Sequence, residues 1–411
     1  MSTNDLVIAV ELGTAKIAAV AAVVDSSGCL EIKSLAYVPS DGIQKGSVRD
    51  VQEAARGVDN VLGKIERHLK IRASEVWLSA SGSSLTSTTG LAMMPIYPSG
   101  RAIRRQDIHQ VLGNSRKVTL PEGHEQVLAV PREYIVDGQR GMMRPIGLAG
   151  SRLEVSTHIV SGATVQIQSA ENVIEAAGRK VLGMVPSSLG SGLGVLSEEA
   201  MDLGCVVLDI GAGKTDLSVF VDGAYVYQDV IPIGGALVTR DLQQLLRTTF
   251  DEAERLKVEH GSALADAADG EETVQVQQFD QDHARPMQRR VLCEIIESRM
   301  KELFDLAAES LHGADLIGGT PRSVVLSGGG SLLPGTEELL LRILPKAQIK
   351  GGQPMVSGRF AGQVASPMLA TVVGVARYAL ESGDEELAPI SGGSGWRDRM
   401  RALISKFDRK G

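Results

Sequence analysis

One pattern occurs twice in this chain and limits what it can fold into. Residues 7–24 read VIAV-ELGTAK-IAAVAAVV, and residues 205–221 read CVVL-DIGAGKTD-LSVFV. Each copy holds an apolar β-prone run, a carboxylate, a turn of small residues and a second apolar run. That order predicts a hairpin of buried strands with an acid near its tip. The chain has 411 residues, too many for one hydrophobic core, so the repeat implies two similar lobes.

The turns suggest a chemistry. Glycine has no Cβ, so backbone N–H groups beside it can approach anionic oxygens closely. A carboxylate ending the first strand of each hairpin, Glu11 or Asp209, can hold the hydrated Mg²⁺ that accompanies a nucleotide. Two such hairpins facing each other would clamp a triphosphate from both sides. Either one alone reads equally well as a plain tight turn; the pair carries the nucleotide reading. Gly213-Lys214-Thr215 is not a Walker A motif, because that motif needs Gly at 208, where Leu stands.

Two further segments fit. SVVLSGGGSLLPG, residues 323–335, is an apolar strand followed by glycines, with a helix predicted over 336–343. Such a turn leaves room for a flat ring against the backbone. In FDEAERLKVEHG, residues 250–261, Glu254 and Lys257 share one helix face at i, i+3. This pair can hydrogen-bond a ribose, and it also reads as an ordinary solvated ion pair.

The formal net charge of −8 argues against nucleic acid as the main partner. The last sixteen residues, from Trp396, carry +4 and the rest of the chain −12. On a helix, Trp396, Met400, Leu403, Ile404 and Phe407 fall within an arc of about 100°. Arg397, Arg399, Arg401, Lys406, Arg409 and Lys410 lie around the remainder. This is the pattern of a helix lying in a membrane interface, drawn to an anionic surface. A helix docked on the body, or a frayed end, are the alternatives. Residues 381–395, ESGDEELAPISGGSG, read as a flexible linker that makes docking the weaker of these.

A hydrophobic fraction of 43% and a mean hydropathy of +0.03 allow a sizeable core. No apolar run reaches the roughly 20 residues needed to cross a bilayer, and no signal peptide opens the chain. The expectation is a cytoplasmic protein, held to a surface only by its tail. The three cysteines, Cys29, Cys205 and Cys293, are expected as buried free thiols. The polar stretch 265–290 reads as an exposed hairpin or loop.

Taken in order, these segments resemble the actin/heat-shock chaperone/sugar kinase superfamily, and within it the FtsA family of bacterial actin-like cell-division proteins. GIQKGSVRD (42–50), RLEVSTHIVSG (152–162), IPIGGALVTRDL (231–242) and SPMLATVVGVARY (366–378) add to the likeness, which covers nearly the whole chain. The resemblance implies an α/β actin-like ATPase fold, with two lobes each on a mixed five-stranded sheet. It implies a lobe 1 of residues 1–82 and 162–201, interrupted by an FtsA-type 1C subdomain at 83–161. Lobe 2 would take 202–235 and 316–380, with a smaller subdomain 2B at 236–315. The linker 381–395 and a C-terminal amphipathic helix at 396–411 would follow.

The resemblance also implies ATP and Mg²⁺ as cofactors. Gly13, Thr14, Ala15 and Lys16 would form the first phosphate loop; Asp209, Gly211, Ala212, Gly213, Lys214, Thr215 and Asp216 the second. Gly234 and Gly235 would close the site, Glu254 and Lys257 would meet the sugar, and Gly328, Gly329 and Gly330 the adenosine. Glu11 and Asp209 would hold the metal through water. The implied partners are the C-terminal peptide of FtsZ on 2B, further copies of the chain through 1C, later division proteins and the inner face of the cytoplasmic membrane at the division site. An FtsA-like pilus-assembly adaptor and a small-molecule kinase of the same fold are the other readings, and neither accounts for the tail.

Three departures from the family pattern bear on hydrolysis. Glu11 stands where Asp is usual, Lys214 interrupts a loop that usually reads Gly-Gly-Gly-Thr-Thr-Asp, and Val185 replaces a carboxylate in the segment joining the lobes. Lys214 would set an ammonium next to the phosphates, where it would partly substitute for Mg²⁺, or it would point into solvent. The expectation is retained ATP binding with slow or absent turnover.

Overall fold

The computed structural model describes residues 6–269, 271–279, 283–314, 316, 319 and 321–381. Both repeated segments are antiparallel hairpins, Val7–Leu12 with Lys16–Val24 and Cys205–Ile210 with Thr215–Val221. Their alternating small and β-branched residues are almost entirely buried, which is why they read as continuous apolar runs.

Each hairpin lies inside a five-stranded sheet. In the first, Leu30–Pro39 flanks the hairpin antiparallel, and Glu75–Ala80 and Lys180–Pro186 follow in parallel. In the second, Ala224–Ile231 takes the antiparallel edge, and Ser323–Ser327 and Gln348–Gly351 the parallel positions. The order antiparallel, antiparallel, parallel, parallel is therefore the same in both lobes. The mixed two-lobe α/β architecture expected from the sequence is present.

Two helices join the lobes. Ser187–Val195 leaves the edge of the first sheet, and Ala370–Glu381 returns across it. They approach closely because Gly190 and Gly374 meet backbone to backbone, and a Cβ on Gly374 would fall on the Gly190 carbonyl. Ala9 and Val20 of the first lobe, Leu189 and Val373 of these helices, and Val207 and Phe220 of the second lobe share one core.

An inserted four-stranded antiparallel sheet runs Thr86–Pro95, Arg152–Ala163, His124–Val136 and Gln139–Met142. Helix Arg105–Ser115 covers it over a separate core that includes Met94, Ile103, Val111 and Leu153. The Ser87 hydroxyl donates to the Gln228 carbonyl at 3.1 Å, which ties this sheet to the second lobe. Nearby the buried His158 ring meets Tyr225 edge-on, centroids 4.8 Å apart. Burial holds the His158 imidazole down to about 3, with Arg132 adding to the effect, so it is neutral at pH 7.

The second lobe carries a smaller helical unit of Gly235–Leu246, Phe250–His260 and Arg289–Gly313. Within the stretch 265–290, Thr273–Val276 pairs antiparallel with Arg285–Gln288. Its Val274 and Val276 are buried, so one side of this hairpin is core and only the other is exposed. Cys205 and Cys293 are buried thiols as expected, but Cys29 is exposed, because it closes a surface turn in which its backbone N–H donates to the Asp25 carboxylate. The linker and amphipathic helix expected beyond Glu381 lie outside the described residues. Among the described residues no helix is long and apolar enough to cross a membrane.

Candidate functional site

The tips of the two hairpins meet. In the first, the Gly13 N–H donates to the Lys16 carbonyl at 3.0 Å, which closes the turn. In the second, the Gly211 N–H does the same to Lys214 at 3.0 Å. The turn at Lys45–Gly46, between the short strands Ile43–Gln44 and Ser47–Val48, sits between them. The Gly46 N–H donates to the Thr14 hydroxyl at 3.0 Å, and a Cβ on Gly213 would run into Thr14 and Lys45.

Gly234 and Gly235 brace the second tip. The Gly235 N–H donates to the Gly211 carbonyl at 2.9 Å and that of Ala236 to Ala212 at 2.8 Å. Lys257 reaches the same place from the helix Phe250–His260. Its ammonium donates to the Gly235 carbonyl at 3.2 Å, to Thr239 Oγ1 at 2.9 Å and to Glu254 Oε2 at 2.6 Å. Glu254 and Lys257 are thus not a free-standing surface pair. They are held at the start of the helix that Gly234 caps, with Glu254 still partly open to solvent.

The third glycine cluster lies on the other side of the second tip. Gly328 has φ +78°, and a Cβ there would collide with Asp209 and the Ile210 backbone. Glycine therefore lets the chain turn against the second hairpin. Gly329 faces open space apart from Met368, and a short 3₁₀ turn at Gly329–Leu332 precedes the helix Thr336–Ile343.

The site's carboxylates all have partners within the chain. Both Glu11 oxygens accept from Lys16 Nζ at 3.2 Å. Asp209 and Asp216 stand directly opposite each other on paired strands. Asp209 Oδ2 accepts from Thr371 Oγ1 at 2.8 Å. Asp216 takes both its oxygens to the Lys214 ammonium and accepts from Ser187 Oγ at 2.9 Å. Burial pushes the Asp209 carboxyl up to about 7; Asp216 and Glu11 push the same way, and Thr371 and Lys214 oppose them. Lys214 itself is buried and turned inward, so it does not point into solvent.

Sequence reasoning thus placed Glu11 to Lys16, Asp209 to Asp216, Gly234 and Gly235, Glu254 and Lys257, and Gly328 to Gly330 in segments that do come together. It missed Ser187, Thr239, Thr371 and the 43–48 hairpin as parts of the site. Ser187 follows Pro186 in the joining segment, which was the one available signal; a threonine inside a helix gives none.

The chain that carries these two acid-tipped hairpins on matching sheets is similar to known proteins. The family model for cell division protein FtsA matches residues 206–374, and that for the SHS2 domain inserted in FtsA matches residues 82–161. Cell division protein FtsA of Shigella flexneri is 30% identical over 420 aligned residues, 99% of this chain and 95% of that one. The chain belongs to the FtsA family. FtsA of Escherichia coli strain K12 is 30% identical, with 98% of both chains covered, and FtsA of Pseudomonas aeruginosa is 28% identical over 98% and 96%. Among solved structures, the PilM–PilN type IV pilus biogenesis complex matches with a TM-score of 0.65 at 15% identity, covering 91% of this chain and 98% of that one. MreB5 of Spiroplasma citri bound to ADP matches with a TM-score of 0.54 at 14% identity, over 93% and 98%. These structural likenesses show an actin-like fold. The FtsA relatives make this a cell-division protein, and the inserted sheet is the FtsA-type subdomain.

Proposed function

We propose that this chain binds ATP between its two hairpin tips, polymerises at the inner face of the cytoplasmic membrane and tethers FtsZ filaments there while recruiting later division proteins. The observation that carries the nucleotide reading is the convergence of both tips, Gly234–Gly235, Glu254–Lys257 and Gly328–Gly330 around the second hairpin tip. Backbone N–H groups at the tips would take the phosphates. Glu254, held by Lys257 and partly exposed, would accept from a ribose hydroxyl. Gly329 leaves open the place where a base would lie. MreB5 of Spiroplasma citri, which shares the fold, is bound to ADP in its crystal structure, and this supports the same reading here.

Self-association is assigned to the inserted sheet. Leu91 and Met93 on its edge strand Thr86–Pro95, and Tyr97 just after it, are largely exposed and apolar. Such residues favour burial against another copy. The subdomain spanning 236–315 is proposed for the FtsZ peptide, and the amphipathic residues Trp396 to Phe407 for the membrane. Turnover is proposed to be slow or absent, since Val185 supplies no carboxylate at the junction of the lobes and is buried among apolar groups. Phosphate release at about 1 s⁻¹ or faster, the low end of common enzyme rates, would contradict that.

Co-sedimentation with anionic liposomes tests the membrane part. Full-length protein is expected to pellet with vesicles and a chain ending at Gly395 to stay in solution. If both stay in solution, the tether is wrong.

A further inference from the structure

From the position of Lys214 we infer that its ammonium takes the charge-balancing place of a divalent cation, so that this site binds its nucleotide without a metal. The inference rests on the nucleotide reading above and concerns how that same site is neutralised.

A hydrated magnesium ion needs carboxylate oxygens free to accept hydrogen bonds from its tightly held waters. Here most of those oxygens are engaged. Lys16 holds both oxygens of Glu11 at 3.2 Å, and Thr371 holds Oδ2 of Asp209 at 2.8 Å. Lys214 holds both oxygens of Asp216 and donates to Ser187 Oγ at 3.0 Å, while Ser187 donates to Asp216 at 2.9 Å. Lys214 and Asp216 are 7% and 5% exposed, so this is a buried triad rather than a surface pair. Among the described residues, no group of three or more His, Cys, Asp and Glu is placed to hold a metal ion.

The location matters as much as the pairing. A Cβ on Gly46 would lie 3.0 Å from Lys214 Cε, so the lysine stem runs under the turn that Thr14 anchors to the first hairpin tip. The charged head therefore sits beneath both tips, where phosphates would enter. Two ammonium groups, Lys16 and Lys214, already face the three carboxylates. A divalent ion meeting Asp216 would have to displace the buried, hydrogen-bonded Lys214, and one meeting Glu11 would have to displace Lys16; removing one partner from such a pair leaves an uncompensated charge.

The test is calorimetric titration of the full-length protein with ATP, once in excess Mg²⁺ and once in EDTA. The two dissociation constants are expected to agree within about threefold. Lys214→Thr is expected to lose about tenfold or more in EDTA and to regain it in Mg²⁺, because the metal then has a free Asp216 to meet. A tenfold or greater loss for the wild-type chain in EDTA overturns the inference, as does a Lys214→Thr variant that matches wild type in both conditions. Thermal melting shows whether the variant is folded; if it is not, the wild-type comparison decides alone. No binding of ATP in either condition removes the nucleotide reading and this inference with it.

Discussion

Thr371 and Asp209 join the last described helix to the tip of the second hairpin: the threonine hydroxyl donates a 2.8 Å hydrogen bond to the carboxylate, and both residues are buried. Asp209 has Asp216 opposite it and accepts no lysine hydrogen bond, so Thr371, ahead of the more distant Lys214 charge, is its principal stabilising partner.

Thr371→Val keeps the shape and removes the donor. A buried acceptor left unmatched costs about 1–3 kcal/mol, so urea denaturation of the variant is expected to show a loss in that range. Thr371→Ser, which keeps the hydroxyl, is expected to recover most of it.

Gly374 and Gly190 set how closely the two joining helices pack. Gly374→Ala would force them apart inside the core shared by both lobes. Overpacking of this kind costs about 1–3 kcal/mol, and the expected result is a lower melting temperature together with increased proteolysis between the lobes. Gly362→Ala, where a Cβ meets open space, is expected to change neither.

His158 makes stability depend on pH. Its folded-state value of about 3 lies below the ordinary 6.5, so the unfolded chain binds a proton that the folded chain refuses. Its contribution is complete above about pH 6.5 and is lost as pH falls toward 3. Between pH 7 and pH 5 this residue alone is expected to cost about 2 kcal/mol, from the linkage slope of one proton. His158 Nε2 has no hydrogen-bond partner among the described residues, so His158→Phe is expected to fold and to flatten the stability curve over that interval.

The exposed thiol of Cys29 and the buried ones of Cys205 and Cys293 give an independent check on the packing. One thiol per chain is expected to react quickly with Ellman's reagent in the folded protein and all three after denaturation. Fast reaction of Cys205 or Cys293 would contradict the two cores they belong to.

The repeated hairpins made the architecture legible, because buried strands between turns leave an unambiguous apolar run on either side of a small-residue tip. Glu11, Asp209 and the glycine clusters were legible for the same reason. Ser187, Thr239 and Thr371 were not: each acts through one hydroxyl whose partner lies on another element, and nothing local distinguishes such a residue. Lys214 could be read as pointing toward phosphate or toward solvent, and its actual direction follows from Asp216 two residues on in the following strand and Ser187 at the start of the joining helix. Cys29 departs from expectation because the apolar residues beside it are strand, while the cysteine itself belongs to the turn. At Val274 and Val276 the polar neighbours hide the burial, since Leu256 and Leu292 of the same core come from distant helices.

The most direct measurement is a crystal structure of the full chain grown with a non-hydrolysable ATP analogue. The account predicts the phosphates between Glu11–Lys16 and Asp209–Asp216, the sugar beside Glu254, and the base against Gly329. A nucleotide bound elsewhere, or none at saturating analogue, would contradict it.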